Sequence, residues 1–321
     1  MTTFTRRQFG LGASAFALAA SRRSARAADL SGVTLRVGDQ ASTYQTKLKA
    51  AGLLDNLPYT IEWSTYPAAV QLHEALKAGA IDIGNSNDSP YISALAGGSR
   101  AVAVSAWSNG GRGTYLLAPK NSPIKSVADL RGKTICPTTR GSVAHYVVVG
   151  ALKQAGVPLD SVKLAFLNPV DAGAAFAAGS IDAWATWSIY AARTRGKLGA
   201  QVIHDGIGIN SGLNVFAATP EALADKGKLA AMADFSDRIE RSFVWSRANP
   251  AGHNAWYKAF SRQDDETVAA LYTDESEYRR VKIDNAFLAR LGQTYATWIE
   301  AGLLQPGLDL APHLYRELPV A

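Results

Sequence analysis

Ala75-Leu76-Lys77-Ala78-Gly79-Ala80-Ile81-Asp82 returns further along the chain as Ala175-Phe176-Ala177-Ala178-Gly179-Ser180-Ile181-Asp182. In both copies a run of small and apolar helix formers meets a glycine, which ends a helix in the left-handed conformation without steric cost. A strand is then entered through Ile-Asp. A second word recurs ahead of the first: Leu48-Lys49-Ala50-Ala51-Gly52 and Leu152-Lys153-Gln154-Ala155-Gly156. Each is followed by a short strand-like run, residues 59–63 and 162–166, and preceded by a strand, residues 34–37 and 134–136. Two words in one order at nearly one offset mark an internal repeat. Each half reads strand, loop, helix, strand, helix, strand, the alternation of a doubly wound unit with a parallel sheet. The expected fold class is α/β: two doubly wound lobes with a cleft between them.

Residues 113–119 look like a strand leaving the first lobe, and Asn214-Val215-Phe216-Ala217-Ala218 like one returning to it. Two extended crossings are therefore expected to join the lobes. Beyond Pro220 the pattern is helical, over residues 230–247, 250–260, 267–271 and 285–301. The expected division is domain 1 from residues 28–114 and 217–321, and domain 2 from residues 115–216.

The N-terminal segment bears on compartment. Thr5-Arg6-Arg7-Gln8-Phe9 is a paired-arginine leader, residues 10–20 are small and apolar, and Ala25-Arg26-Ala27 offers a signal-peptidase site. The run falls short of the roughly 20 apolar residues that span a bilayer. Residues 1–27 read as a twin-arginine export signal, with an untidy general-secretory signal as the alternative; either sends the mature chain to the periplasm. No cysteine follows the run, so no lipid anchor is expected. The signal holds five arginines and no acidic residue. Its removal leaves 28 of the 33 basic residues against 27 acidic ones, a net charge near +1. The electrostatic case for nucleic acid goes with it. Cys136 is the only cysteine, which excludes an internal disulfide and a cysteine-based zinc site; in an apolar strand it reads as core.

In an open parallel sheet, ligands bind beyond the carboxyl ends of the strands, facing helix N-termini whose free N–H groups suit anions. Three loops qualify. In Gly38-Asp39-Gln40-Ala41-Ser42-Thr43-Tyr44, Gln40 can donate and accept, Tyr44 follows it, and Ser42 or Thr43 can cap the helix. In Asn85-Ser86-Asn87-Asp88-Ser89-Pro90, the candidates are Asn87, Asp88 and Ser89, with Ser89 suited to an N-cap and Pro90 to the first turn. In Thr138-Thr139-Arg140-Gly141-Ser142-Val143-Ala144-His145, Arg140, Gly141, Ser142 and Val143 form the best oxyanion cradle; the competing reading is ordinary capping. Ala183-Trp184-Ala185-Thr186-Trp187-Ser188 adds Trp184 and Trp187, either core or the apolar wall of a cleft. Asn214, in the returning strand, completes the set. Asp82 and Asp182 hold equivalent places, which favours a structural task at the turn.

Enzyme constellations fail on inspection. His73, His145, His204, His253 and His313 show no zinc-binding spacing, and there is no nucleophile elbow and no phosphate-binding Walker loop. No cofactor, no metal and no catalytic residue is expected.

At these loops the chain resembles the aliphatic-sulfonate, taurine and nitrate-type substrate-binding proteins of ABC importers. The most specific stretch is Pro119-Lys120-Asn121-Ser122-Pro123-Ile124-Lys125-Ser126-Val127-Ala128-Asp129-Leu130-Arg131-Gly132-Lys133. Arg140-Gly141-Ser142-Val143-Ala144-His145, Gly179-Ser180-Ile181-Asp182-Ala183-Trp184 and Gly302-Leu303-Leu304 follow. The resemblance implies a type II periplasmic binding fold, capture of an organic anion by interlobe closure, and delivery to a membrane permease with its ATPase by a monomer. In that family the serine and amides of the loop at Gly141 and Ser142 hold the sulfonate; the family's second serine is Val143 here. The family's tryptophan-aspartate pair is Trp187-Ser188 here, which counts against an amino-bearing ligand such as taurine and favours an alkyl or aryl sulfonate. Nitrate, a thiamine-type precursor, an enzyme resembling desulfinases or thiamine-precursor synthases, and a sensor partner are the alternatives.

Overall fold

A computed structural model describes residues 29–318; the export signal read at residues 1–27 lies outside the described residues. The first unit comprises β1 (Thr34–Gln40), α1 (Thr43–Ala50), β2 (Thr60–Tyr66), α2 (Ala69–Lys77), β3 (Ile83–Asn87), α3 (Asp88–Ala96) and β4 (Val102–Ser108). The second comprises β5 (Thr114–Ala118), β6 (Thr134–Cys136), α4 (Val143–Gln154), β7 (Lys163–Leu164), α5 (Pro169–Ala177), β8 (Ala183–Trp187), α6 (Ser188–Leu198) and β9 (Gln201–His204). There follow β10 (Leu213–Ala218), α7 (Pro220–Ala224), α8 (Lys226–Ala248), α9 (Pro250–Ser261), α10 (Asp265–Ser276), β11 (Arg279–Val281) and α11 (Asn285–Glu300).

The strands form two sheets, ordered β11-β4-β10-β3-β1-β2 and β7-β6-β8-β5-β9. The parallel triplets β2-β1-β3 and β7-β6-β8 are the two repeats, and each is extended by an antiparallel strand, β10 beside β3 and β5 beside β8. β10 alternates faces as a strand must. Val215 and Ala217 join a core with α2, α3 and α11, while Phe216 and Ala218 join one with α1 and α8. Both faces of each sheet are covered, the usual condition of parallel sheets.

The repeated words perform the same task twice. The Ala80 N–H donates to the Ala75 carbonyl and the Ser180 N–H to the Ala175 carbonyl, each at 2.9 Å, closing the helix around Gly79 (φ +69°) and Gly179 (φ +71°). The Asp82 carboxylate accepts from the Arg36 N–H at 2.9 Å, and that of Asp182 from the Thr134 N–H at 2.8 Å. Each aspartate thus ties the turn to the first strand of its unit, the structural task expected of it.

Two crossings run between the sheets, from β4 to β5 and from β9 to β10, and they touch backbone to backbone. The Asn109 N–H donates to the Gly212 carbonyl at 3.2 Å. A Cβ on Gly111 would stand 2.5 Å from the Asn210 carbonyl oxygen, and one on Gly212 would stand 2.1 Å from the Gly111 nitrogen. The expectation of two crossings is incomplete. α9 packs on α1 and α8 of the first sheet and on α6 of the second, α10 packs on α6 and α8, and β11 then returns to pair with β4. Trp256, Tyr257, Val268 and Leu271 carry apolar faces that only this bridging position buries, in a cluster with Tyr115 and Leu117 of β5. β10 lies wholly in the first sheet, so the boundary drawn at residues 216/217 falls inside a strand.

Candidate functional site

Where the strand ends of the two sheets face each other, a narrow cavity of ≈ 80 Å³ opens. It gathers five residues expected from sequence: Gln40 at the end of β1, Tyr44 on α1, Asn87 at the end of β3, Trp187 at the end of β8 and Asn214 on β10. Gln40 Nε2 donates to the Asn85 carbonyl at 2.8 Å, and Asn87 Nδ2 to the Leu213 carbonyl at 3.3 Å. The Asn85 and Asn214 side chains, 4% and 8% exposed, each keep an amide oxygen with no hydrogen-bond partner. Buried amides in that state are groups a guest can satisfy.

The other expected residues lie elsewhere. Asp88 is buried and engaged within the protein: one oxygen accepts from the Ser89 N–H at 2.8 Å, the other from the Ser211 and Thr294 hydroxyls at 2.6 and 2.7 Å. Ser89 is inside the first turn of α3 and does not cap it, because the helix starts at Asp88 after Asn87. Ser142 is the N-cap of α4: its Oγ accepts from the His145 N–H at 3.2 Å and donates to the Pro137 carbonyl at 3.1 Å. Val143 is buried beside it. Trp184 is core, 2% exposed, with its indole N–H on Thr138 Oγ1 at 3.1 Å. The Arg140 guanidinium lies 4.2 Å over the Phe166 ring. Arg140 and Gly141 line a second cavity, of ≈ 240 Å³, with Ser93 and Trp298 from the first lobe. The third loop therefore sits on the seam between the lobes and lines a cavity separate from the first.

The first loop also differs in detail. Ser42 makes no cap bond and meets Thr65 Oγ1 at 2.8 Å, while Thr43 donates back to the Gln40 carbonyl. The N-terminus of α1 is occupied by Asp39, whose Oδ2 accepts from the Gln45 N–H at 2.9 Å. Burial pushes this carboxyl up to about 7.

Four charged residues stand in the cavity wall, Lys47, Arg112, Asp274 and Glu275; the sequence offers Arg112, with Arg140, as a source of positive charge, and the other three were missed. Lys47 is 2% exposed; its Nζ donates to the Glu275 carbonyl at 3.1 Å and lies 4.0 Å over the Phe243 ring. Burial pulls this amine down to about 7. The Tyr115 hydroxyl donates to Asp274 Oδ2, and the Tyr257 hydroxyl to Glu275 Oε1 at 3.3 Å. Burial pushes both carboxyls above their ordinary range. A signal for Lys47 was present: Tyr44, Lys47 and Leu48 share one face of α1, so the lysine stands on the apolar stripe. Among the described residues no cluster of His, Cys, Asp or Glu could hold a metal ion, and no helix is long and apolar enough to cross a membrane.

Two doubly wound lobes linked by crossing strands around a polar cleft define the periplasmic-binding-protein class, of type II topology. The profile of one family, the phosphonate-type periplasmic substrate-binding proteins of ABC transporters, matches residues 39–225. The chain belongs to this family of ABC substrate-binding proteins. A protein of Escherichia coli (strain K12) named for binding aliphatic sulfonates is 35% identical over 224 residues, 67% of this chain and 70% of that one. The alkanesulfonate-binding protein of Xanthomonas axonopodis pv. citri, solved with MOPS, matches with a TM-score of 0.79 at 25% identity, over 88% of this chain and 98% of that chain. The periplasmic aliphatic sulphonate binding protein of Escherichia coli matches with a TM-score of 0.74 at 28% identity, over 89% and 98%.

Proposed function

We propose that this chain is the periplasmic solute-binding component of an ABC importer and that it captures an organosulfonate in the cavity between its sheets. The observation that carries the reading is the convergence of Gln40, Asn87 and Asn214 from one sheet and Trp187 from the other on a single cavity. Amide groups suit the oxygens of a sulfonate, and the indole suits its organic tail. Closure follows from occupancy: a guest that touches both lobes stabilises the closed arrangement by its differential affinity. The relatives' names point to the same ligand class. The partners in this reading are a membrane permease and its ATPase, the protein acts as a monomer exported by its N-terminal signal, and domain 2 runs from residue 115 to the crossing that precedes β10. A nucleophilic role for Cys136 is disfavoured, because the thiol is buried and burial raises it, opposite to what a reactive cysteine needs. Calorimetric titration with alkanesulfonates, phosphonates and nitrate tests the ligand class; binding confined to phosphonates or nitrate would overturn it.

A further inference from the structure

The second cavity, on the seam between the lobes, shares no lining residue with the first. Its wall on the first lobe is Ser93 of α3 with Trp298, Leu303 and Leu304, at and beyond the end of α11. Its wall on the second lobe is Arg140, Gly141 and His145, around the start of α4. His145 and Trp298 are each 1% exposed, yet His145 Nε2 and Trp298 Nε1 have no hydrogen-bond partner among the described residues. His145 Nδ1 accepts from the Gly141 N–H at 3.1 Å, so the proton of the neutral ring stands on Nε2. Burial, with Arg140 beside it, pulls this base down to about 4, so the ring is neutral at pH 7. Both nitrogens are therefore donors, on rings whose centres lie 5.1 Å apart. Buried N–H groups are costly to leave unpaired, and here one cavity holds two.

We infer that the seam cavity is a second binding site, for a small aliphatic monocarboxylate, and that its occupation favours the closed arrangement of the lobes. The Arg140 guanidinium adds the charge. It is stacked 4.2 Å over the Phe166 ring, which orients its plane and leaves its edge free to pair with two oxygens. No carboxylate lines the cavity among the described residues, so nothing in the wall competes for these donors. A carboxylate has two oxygens for the guanidinium and the two ring N–H groups to share. A sulfonate or phosphate would turn a third oxygen toward Leu303 and Leu304, which offer no donor and suit a short alkyl chain. Closure enters because the lining comes from both lobes. They already meet there, Ser93 Oγ donating to the Gly141 carbonyl at 3.3 Å. Parting the lobes would separate Arg140 and His145 from Trp298, so a guest held by all three binds the closed form better. By linkage, carboxylate and sulfonate then tighten each other's binding.

The probes are butyrate and its neutral analogue butyramide, added to the protein with and without saturating butane-1-sulfonate. The first readout is the indole region of a proton–nitrogen correlation spectrum. The chain has seven tryptophans, and the N–H signal lost in Trp298→Phe identifies Trp298. Butyrate is expected to move that signal, and butyramide to leave it in place. The second readout is calorimetry. Excess butyrate should tighten butane-1-sulfonate binding about fivefold or more, the lower end of ordinary coupling between sites, and Trp298→Phe should bring that factor toward one. An unmoved signal, an equal response to butyramide, or displacement of the sulfonate by butyrate would overturn the inference. A moved signal with unchanged sulfonate affinity would overturn the coupling to closure. Only the coupling rests on the organosulfonate reading: failure of butane-1-sulfonate to bind would count against that reading, while the indole titration without sulfonate still decides the site. Should Trp298→Phe fold poorly, calorimetry of butyrate against butyramide on the native protein decides the same point.

Discussion

The Ser142 hydroxyl is engaged twice, by the His145 amide it caps and by the Pro137 carbonyl it donates to. Ser142→Ala is therefore expected to lower unfolding stability by about 1 kcal/mol, the usual loss for an N-cap serine, in a urea titration. Trp187 is different, half-buried and on the cavity wall. Trp187→Ala should weaken sulfonate binding by roughly tenfold or more in a calorimetric titration, since it removes the aromatic wall, and should also lower the melting temperature, since the same ring packs against the second lobe's core. Gln40, Tyr44, Asn87 and Asn214 were legible because polar and aromatic residues at strand ends and first turns have few other reasons to be there. Asp88 was not, because sequence does not reveal that Ser211 and Thr294 come from distant segments to engage its carboxylate.

At the scale of elements, Gly79 and Gly179 end equivalent helices with φ near +70°, and nothing lies within 4 Å of where a Cβ would stand on either. The penalty for Gly79→Ala and Gly179→Ala is then purely conformational. It should be about 1–2 kcal/mol in each case and nearly equal, as measured by denaturant unfolding. Clearly unequal values would show that the two turns are not equivalent. The repeat made these turns readable, because one local rule serves both copies. The helix read at residues 267–271 was too short: α10 runs over Asp265–Ser276, capped by Asp264, whose carboxylate accepts from the Thr267 N–H at 2.8 Å. Its last turn, Thr273-Asp274-Glu275-Ser276, has loop-like composition. Packing of Val268 and Leu271 into the bridging core holds it helical, and that same turn carries the acidic wall of the cavity. Tertiary contact overrode local preference there, which is why the acidic wall of the cavity escaped sequence reading.

For the whole molecule, pH acts through buried groups of opposite sense. Burial pulls His73 and His145 down to about 4, and His253 to about 3, from an ordinary 6.5. A base held below its unfolded value contributes stability that is present above pH 6.5 and is lost as pH falls through the folded value, because the unfolded chain takes up the protons first. Asp39, pushed up to about 7, contributes stability below its ordinary 3.8 that is lost as pH rises through 7. His73 accepts or donates one bond to Ser86 Oγ at 2.8 Å and has no charged neighbour raising it. His73→Asn is expected to flatten the fall in melting temperature between pH 6.5 and 4, and an unchanged slope would exclude His73 as a contributor.

The chain passes from lobe to lobe four times: at β4–β5, at β9–β10, through α8 into the bridging pair α9–α10, and back at β11. A body joined at several points cannot swivel about one bond; it can only fold along a line, as a door does on several hinges. The abutting glycines at residues 111 and 212 mark one knuckle of that axis, where any side chain would collide with the facing strand. Gly212→Ala, with φ at +70° and its Cβ against the Gly111 nitrogen, should displace that knuckle. Its mark would be a radius of gyration, from solution X-ray scattering, that no longer contracts when sulfonate is added.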